Sequence, residues 1–353
     1  MFGAGVPHYI DAMLPDSKNR PVALWLFVVA GMILVMIVLG GATRLTGSGL
    51  SIMEWAPLMG TLPPMSDAEW QRLFALYQKI PQYDLVNHGF GLEGFKRIFW
   101  LEWAHRLWGR LIGLAFLLPL IGFWWTGRVS PWLRWRLVVL FLLGGLQGAV
   151  GWFMVASGFF PDMTSVSPYR LVVHLGLALT LYGAIVWTGL SLHAPAGPAG
   201  WANRTLAVLA PCGLALVCLT ILAGGFVAGL HAGLTYNTFP LMDGRLLPPS
   251  YADLHPFVRN LTENIAAVQF DHRLLATLTL LVAFGTAIAG WNDPAARRRS
   301  VAVGAVALLQ YGVGVGTLLF GVPVDLAVLH QAGAAALLTA YLVLLSGKKA
   351  KSS

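Results

Sequence analysis

Eight separate apolar runs, each long enough to cross a bilayer, constrain this chain more than any other feature. A helix needs about 20 apolar residues to traverse the hydrocarbon core. The runs fall near 21–43, 100–125, 135–156, 170–191, 204–227, 268–290, 300–320 and 325–346. Charged residues make up 11% of the chain, against about 25% in a soluble domain. The expected fold is therefore all-α: an integral membrane protein with eight transmembrane helices. The first run is too long for a signal-peptide core and has no clear small-residue cleavage site, so it reads as retained. Asp11 and Asp16 argue against an organellar presequence.

The connections differ by side. The N-terminus (Lys18, Arg20), "GRVSPWLRWR", "HAPAGPAGWANR", "WNDPAARRRS" and the tail "GKKAKSS" together hold 12 Lys/Arg against three acids. The opposite connections hold 11 against 12. The positive-inside rule then places both termini in the cytoplasm. It also accounts for the net charge of +8 without a nucleic-acid partner. Membrane lipid is the implied surrounding, in a bacterial cytoplasmic (inner) membrane. Two outer connections, 44–99 and 228–267, are long and contain amphipathic pieces such as "DAEWQRLFALYQKI". Short helices over the outer mouth of the bundle are expected there, with a solvated connector as the alternative. Cys212 and Cys218 stand at i and i+6 of one apolar run, so no disulfide or zinc framework is implied.

The chain repeats itself. "GGATRLTGSGLSIMEWAPLMGTLPP" (40–64) is answered by "GGFVAGLHAGLTYNTFPLMDGRLLPP" (224–249). "AHRLWGRLIG" is answered by "DHRLLATLTL", and "VVHLGLALTLYGAIV" by "VLHQAGAAALLTAYL". Two pseudo-symmetric four-helix bundles are expected, residues 1–197 and 198–353. Four spans per unit is an even number, so both units insert the same way round, unlike an inverted transporter repeat.

Of nine histidines, four lie inside apolar runs: His105, His174, His272 and His330. Each is near the start of an even-numbered span, so all four share an outer depth, and each half supplies two. A single membrane histidine is most simply an interhelical hydrogen-bond partner. Two neutral imidazoles facing each other at one depth can instead ligate haem iron axially. Repetition of the pair favours the haem reading. Arg106, Arg110, Arg170 and Arg273 cluster at the same edge. They are candidate partners for haem propionates, since guanidinium binds carboxylate bidentately; the alternative is snorkelling toward lipid headgroups. The other histidines lie in tails or loops, and His231 stands out because it falls in the repeated segment.

The halves differ at one chemically telling position. Glu102 precedes His105 by three residues, and Gln269 precedes His272 by three. Residues three apart share a helix face. A carboxylate beside a haem edge can accept a proton or stabilise a developing cation, whereas an amide can only hydrogen-bond. The first half therefore reads as the site of a reaction, and the second as the seat of a resident electron-transfer haem. The competing reading of Glu102 is an i,i+4 ion pair with Arg106.

Together "GGATRLTGSGLSIMEWAPLMGTLPP", "FWLEWAHRLWGR", "VVHLGLA", "GGFVAGLHAGLTYNTFPLM", "FDHRLLA" and "VLHQAGA" resemble the haem A synthases of alphaproteobacteria and mitochondria. The resemblance covers nearly the whole chain. It implies oxidation of a porphyrin methyl group of haem O to the formyl group of haem A, with oxygen from water, for cytochrome c oxidase biogenesis. It further implies that His105 and His174 flank the substrate haem and that Glu102 is the essential carboxylate. His272 and His330 would ligate a permanent haem b, with Arg273 beside it. Active sites toward the periplasmic side follow, and contact with haem O synthase (protohaem farnesyl transferase) and cytochrome oxidase assembly factors becomes plausible chemistry, as does a homo-oligomer. Another branch of the family carries a cysteine pair in its outer loops. No cysteine occurs in the outer loops here, so a loop-disulfide relay is excluded.

Two other function classes compete. A di-haem cytochrome b for quinol-linked electron transfer needs ligand pairs near both faces, and no inner pair is visible. A haem transporter has little use for a resident bis-histidine haem.

Overall fold

The structure is a computed structural model that describes residues 19–56, 59–193, 201 and 203–347. The charged N-terminus with Lys18, the 197/198 boundary between the expected halves and the lysine-rich tail lie outside the described residues. Among the described residues the chain is helical with no strand. Eight helices are long and apolar enough to span a membrane. They are α1 (Asn19–Leu45), α4 (Leu92–Trp125), α5 (Pro131–Val155), α6 (Pro168–His193), α7 (Arg204–Gly229), α9 (Ile265–Gly290), α10 (Arg297–Leu319) and α11 (Val324–Ser346). The long connections carry α2 (Asp67–Tyr77), α3 (Pro81–Leu85) and α8 (Asn260–Glu263).

Hydropathy located seven of the eight spans to within four residues at either end. The exception is α4, which begins at Leu92 rather than near 100. Its first two turns, "LEGFKRIF", are amphipathic: Glu93 pairs with Lys96 on the outside, while Phe95, Ile98 and Phe99 are buried. Glu102 and His105 thus sit several turns into a helix and not at its entrance.

Local chemistry fixes the helix ends. Asn203 accepts from the backbone N–H groups of Thr205 and Leu206 to open α7, and Asn264 accepts from those of Ala266 and Ala267 to open α9. Pro131 and Pro168 occupy first helical positions, where a missing N–H is harmless.

In the first half α1 packs on α4 and α6, and α5 packs on α4 and α6. In the second half α7 packs on α9 and α11, and α10 packs on α9 and α11. Both halves therefore close the same four-helix ring. The rings meet through α6 against α7 and through α11 against α1 and α6. Close approach needs small residues: a methyl on Gly213 of α7 would fall within the Tyr341 side chain of α11, and one on Gly189 would meet Phe27 at 2.8 Å. Polar side chains add specific joints. Tyr182 and Thr339 share a hydrogen bond of 2.7 Å, the Trp108 indole donates to Met32 O, and Gln331 donates to Ile37 O.

The short helices of the long connections are present, as expected. Leu50, Trp70, Phe74, Tyr77, Phe95 and Phe99 form a second buried cluster that clamps α2 and the 48–50 turn onto the start of α4. At the opposite end of the bundle, Arg134, Arg136 and Arg297 stack on Trp124, Trp132 and Trp291, an arrangement suited to a membrane–water interface.

Candidate functional site

The four span histidines occupy equivalent positions on even-numbered spans, and each rests on a glycine of the preceding odd-numbered span. A methyl on Gly40 of α1 would stand 3.3 Å from His105 Nε2. One on Gly151 of α5 would stand 2.9 Å from His174 Cε1. In the second half, Gly224 of α7 and Gly314 of α10 bear the same relation to His272 (2.9 Å) and His330 (2.6 Å). At Gly151, Gly224 and Gly314 only a bare Cα leaves room for the ring, whereas at Gly40 a methyl would be merely tight.

His272 and His330 face each other with ring centroids 6.4 Å apart and planes at 87°. Imidazole nitrogen binds a first-row metal at roughly 2.0–2.1 Å, and a five-membered ring adds roughly 1.1 Å from nitrogen to centroid, so two coaxial imidazoles on one metal stand roughly 6.3 Å apart. The observed separation meets that requirement. His272 Nδ1 lies 3.1 Å from Thr220 O. A carbonyl can only accept, so Nδ1 carries the proton and Nε2 is the unprotonated nitrogen of the neutral ring. Among the described residues no three or more His, Cys, Asp or Glu side chains converge on one point.

Two residues missed in the sequence complete this arrangement. Gln147 of α5 and Gln310 of α10 each stand four residues before the glycine under a histidine. The Gln147 amide nitrogen is 3.1 Å from His174 Nδ1, 3.3 Å from His174 Nε2, and donates to His174 O at 3.0 Å. The Gln310 amide nitrogen is 3.1 Å from His330 Nδ1 and donates to His330 O at 2.8 Å. The signal was available as a repeated Gln-x-x-x-Gly inside two apolar runs, since an amide in hydrocarbon demands a partner.

The arginines are tied to the long connections in matching ways. Arg106 donates to Glu54 O and Ile52 O at 2.9 and 2.7 Å. Arg273 donates to Thr238 O and Tyr236 O at 2.9 and 2.6 Å, the counterparts of Glu54 and Ile52 in the repeated segment. Arg110 donates to Ala56 O. Arg170 donates to Phe153 O and lies 3.8 Å over the Phe153 ring. Each guanidinium thus holds local backbone, and the buried Arg273 Nε has no partner among the described residues.

Glu102 and Gln269 lie one turn before these arginines and differ as the sequence suggested. Glu102, 3% exposed, accepts from Arg106 Nε through Oε1, so the ion pair read as its alternative role does form. Gln269 accepts from Arg273 and also donates to Ala232 O at 2.7 Å. A carboxylate has no hydrogen for the corresponding bond to Ser48 O. The second half is thereby closed by an amide, whereas the first keeps a buried acid beside its histidine.

A further asymmetry lies between the halves. Arg44 of α1 donates across to Ala228 O of α7 at 2.9 Å. His231 follows α7 with φ +53°, where the first half has Gly47 at φ +68°. Partial desolvation, and then nearby Arg44, hold the His231 imidazole below its ordinary range.

A family model described as "Cytochrome oxidase assembly protein" matches residues 23–342. A protein of Granulibacter bethesdensis named "Heme A synthase" is 62% identical over 336 residues, covering 95% of this chain and 89% of that protein. Proteins of the same name from Rhodospirillum centenum and Caulobacter are 49% and 48% identical, covering 90% and 93% of this chain and 86% and 96% of theirs.

Proposed function

The chain belongs to this family of cytochrome oxidase assembly proteins, and from that premise we infer that it is a haem A synthase, an integral membrane oxidoreductase that converts haem O to haem A. The methyl carbon takes oxygen from water and ends as a formyl group, with four electrons and four protons released in two successive two-electron oxidations. The observation that carries the reading is the histidine pair in each half, every ring seated on a glycine.

The assignment of roles rests on the difference between the halves. His272 and His330 are proposed to hold a resident haem b, which would supply one-electron redox chemistry. Their fit is supported by the 6.4 Å spacing and by the Thr220 carbonyl that leaves His272 Nε2 free. The unpartnered Arg273 Nε suits a propionate acceptor. His105 and His174 are proposed to flank the substrate haem, with Arg106, Arg110 and Arg170 holding the surrounding backbone or meeting propionates. Glu102 stands three residues before His105 on the same helix face, where it could take a proton from water or stabilise positive charge at the carbon that reacts. The charge asymmetry of the connections supports a periplasmic position for both sites, the two rings serving as the substrate half (1–197) and the haem b half (198–353). Haem O is the product of a farnesyl transferase, and delivery through the membrane plane suits its long apolar tail.

Acid-acetone extraction of the purified protein followed by chromatography and mass measurement tests the reading. Haem b together with haem O or haem A is expected. Two equivalents of haem b alone would overturn the two-role assignment and favour an electron-transfer cytochrome.

A further inference from the structure

The two rings are not closed to the same degree. In the second half α9 and α10 lie tightly together, whereas their counterparts α4 and α5 lie much more loosely. α4 and α5 are also the least buried of the eight spans. The repeat shows which side chains make the difference. Tyr311 of α10 stands three residues before Gly314, the seat of His330. Its hydroxyl is 3.0 Å from Thr277 Oγ1 of α9, and its ring meets that of Phe239 edge-on with centroids 6.2 Å apart. Further along the same seam Ala307 is buried and Leu280 packs on the core.

In the first half the positions of Tyr311, Ala307 and Leu280 are held by Gly148, Gly144 and Gly113. Gly148 and Gly144 are exposed, and a methyl on Gly148 or Gly113 would meet no atom of another helix within 4 Å. Arg110 stands where Thr277 does and is tied to Ala56 O of the covering loop. Beyond the glycines Phe116 and Phe141 stack with centroids 6.2 Å apart and close α4 against α5. The opening is therefore a slot with a floor and not a split through the bundle. Gly148 and Gly144 lie about 4 and 10 Å along α5 from Gly151, away from the covering loop. The slot thus starts beside the seat of His174 and faces the hydrocarbon. An apolar chain gains little there from burial, because lipid tails are as apolar as side chains. Selection at such a seam is steric.

We propose that Tyr311, held by Thr277, is the specificity-determining residue that closes the second half to a haem with a farnesyl tail, and that the α4–α5 slot takes this tail when haem O lies between His105 and His174. Haem O carries the long chain where haem b has a vinyl group. A ring bolted at this seam holds haem b and has no path for the tail of haem O. The proposal rests on the two-site reading above and deepens it by naming what sorts the two haems.

The test is the haem content of the whole protein, purified from cells that supply both haem b and haem O and measured by extraction and mass. Tyr311→Gly is combined with His105→Ala, so that only the second half holds haem. His105→Ala alone is expected to carry haem b, and adding Tyr311→Gly should raise the share of haem O about tenfold. Tyr311→Phe in the same background keeps the ring in the path and should stay with haem b. From the other side, Gly148→Tyr in the otherwise native protein should lower the sum of haem O and haem A several-fold and leave haem b per protein unchanged. Haem b alone in the Tyr311→Gly protein, equal admission of haem O by Tyr311→Phe, or an undiminished sum in Gly148→Tyr would each overturn the proposal. Poor accumulation of one variant leaves the other half decisive. The underlying reading fails separately: haem O that survives His105→Ala in the otherwise native protein sinks the two-site assignment, whereas its loss together with seam variants of unaltered haem content sinks only the role of the seam.

Discussion

Adding one methyl group at Gly314 should release haem from the second half while leaving the helices in place. The ideal Cβ falls 2.6 Å from His330 Cε1, and ordinary contact begins at 3.4 Å, so the ring has to withdraw by about 0.8 Å. A metal–ligand distance tolerates roughly 0.2 Å, so a displacement of that size would weaken the bond that His330 is proposed to make to haem iron. The cost to folding is smaller, about 1–3 kcal/mol for one overpacked methyl group, because a ring at the end of a side chain yields more readily than a backbone. The same arithmetic grades the other three sites. Gly151→Ala and Gly224→Ala demand about 0.5 Å, from 2.9 to 3.4 Å, and Gly40→Ala about 0.1 Å, from 3.3 Å. Low-spin haem per protein, measured by reduced-minus-oxidised spectra on monodisperse material, should therefore fall most in Gly314→Ala, less in Gly151→Ala and Gly224→Ala, and least in Gly40→Ala. A Gly314→Ala protein with its full low-spin spectrum, or a Gly40→Ala protein that loses as much haem, would refute the reasoning.

Four further outcomes follow from the same structure. Glu102→Gln should fold and bind haem, because Gln269 already shows how an amide is accommodated by donating to the loop carbonyl; haem A formation should stop, and normal yield would remove Glu102 from the mechanism. His272→Ala should abolish the resident haem yet leave haem O binding in the first half measurable by extraction, whereas His105→Ala should do the reverse. Arg72 joins Glu54 and Glu69 across the first long connection at 2.8–2.9 Å in a half-exposed setting, so Arg72→Ala should cost under about 1 kcal/mol. Because Arg72 holds the Glu54 carboxyl below its usual 4.5, that tether is complete above this pH and lost as pH falls through the lowered value, which protease susceptibility of residues 44–99 would register. His231→Gly replaces a left-handed non-glycine residue by the type found at Gly47 and should raise thermal stability by roughly 1 kcal/mol in a detergent melt; a fall would mean that the imidazole holds contacts of its own.

The arginines show how far residue type alone can be taken. Their clustering with the histidines was legible, and so was their affinity for oxygen acceptors. That the acceptors include the backbone carbonyls of Ile52, Glu54, Tyr236 and Thr238 was not legible, because a loop carbonyl has no signature in sequence. Glu102 illustrates the same limit. A role as the site's carboxylate and an ion pair with Arg106 were competing readings on one helix face, and the structure shows the ion pair.

Sequence by itself determined the eight-helix membrane fold, the repeat of two four-span units, the four histidines and the Glu102/Gln269 contrast. Each of these is written in local quantities: hydropathy over one helix length, spacing along one helix, identity at one position. Tertiary structure alone decided that the four rings rest on Gly40, Gly151, Gly224 and Gly314, and that Thr220 O reaches His272 while Gln147 and Gln310 reach the partner histidines. It also decided that Leu92–Phe99 is helix beneath a covering loop. Those facts depend on which helix faces which, at what depth and rotation. Close packing between helices fixes these relations only when the whole bundle has formed.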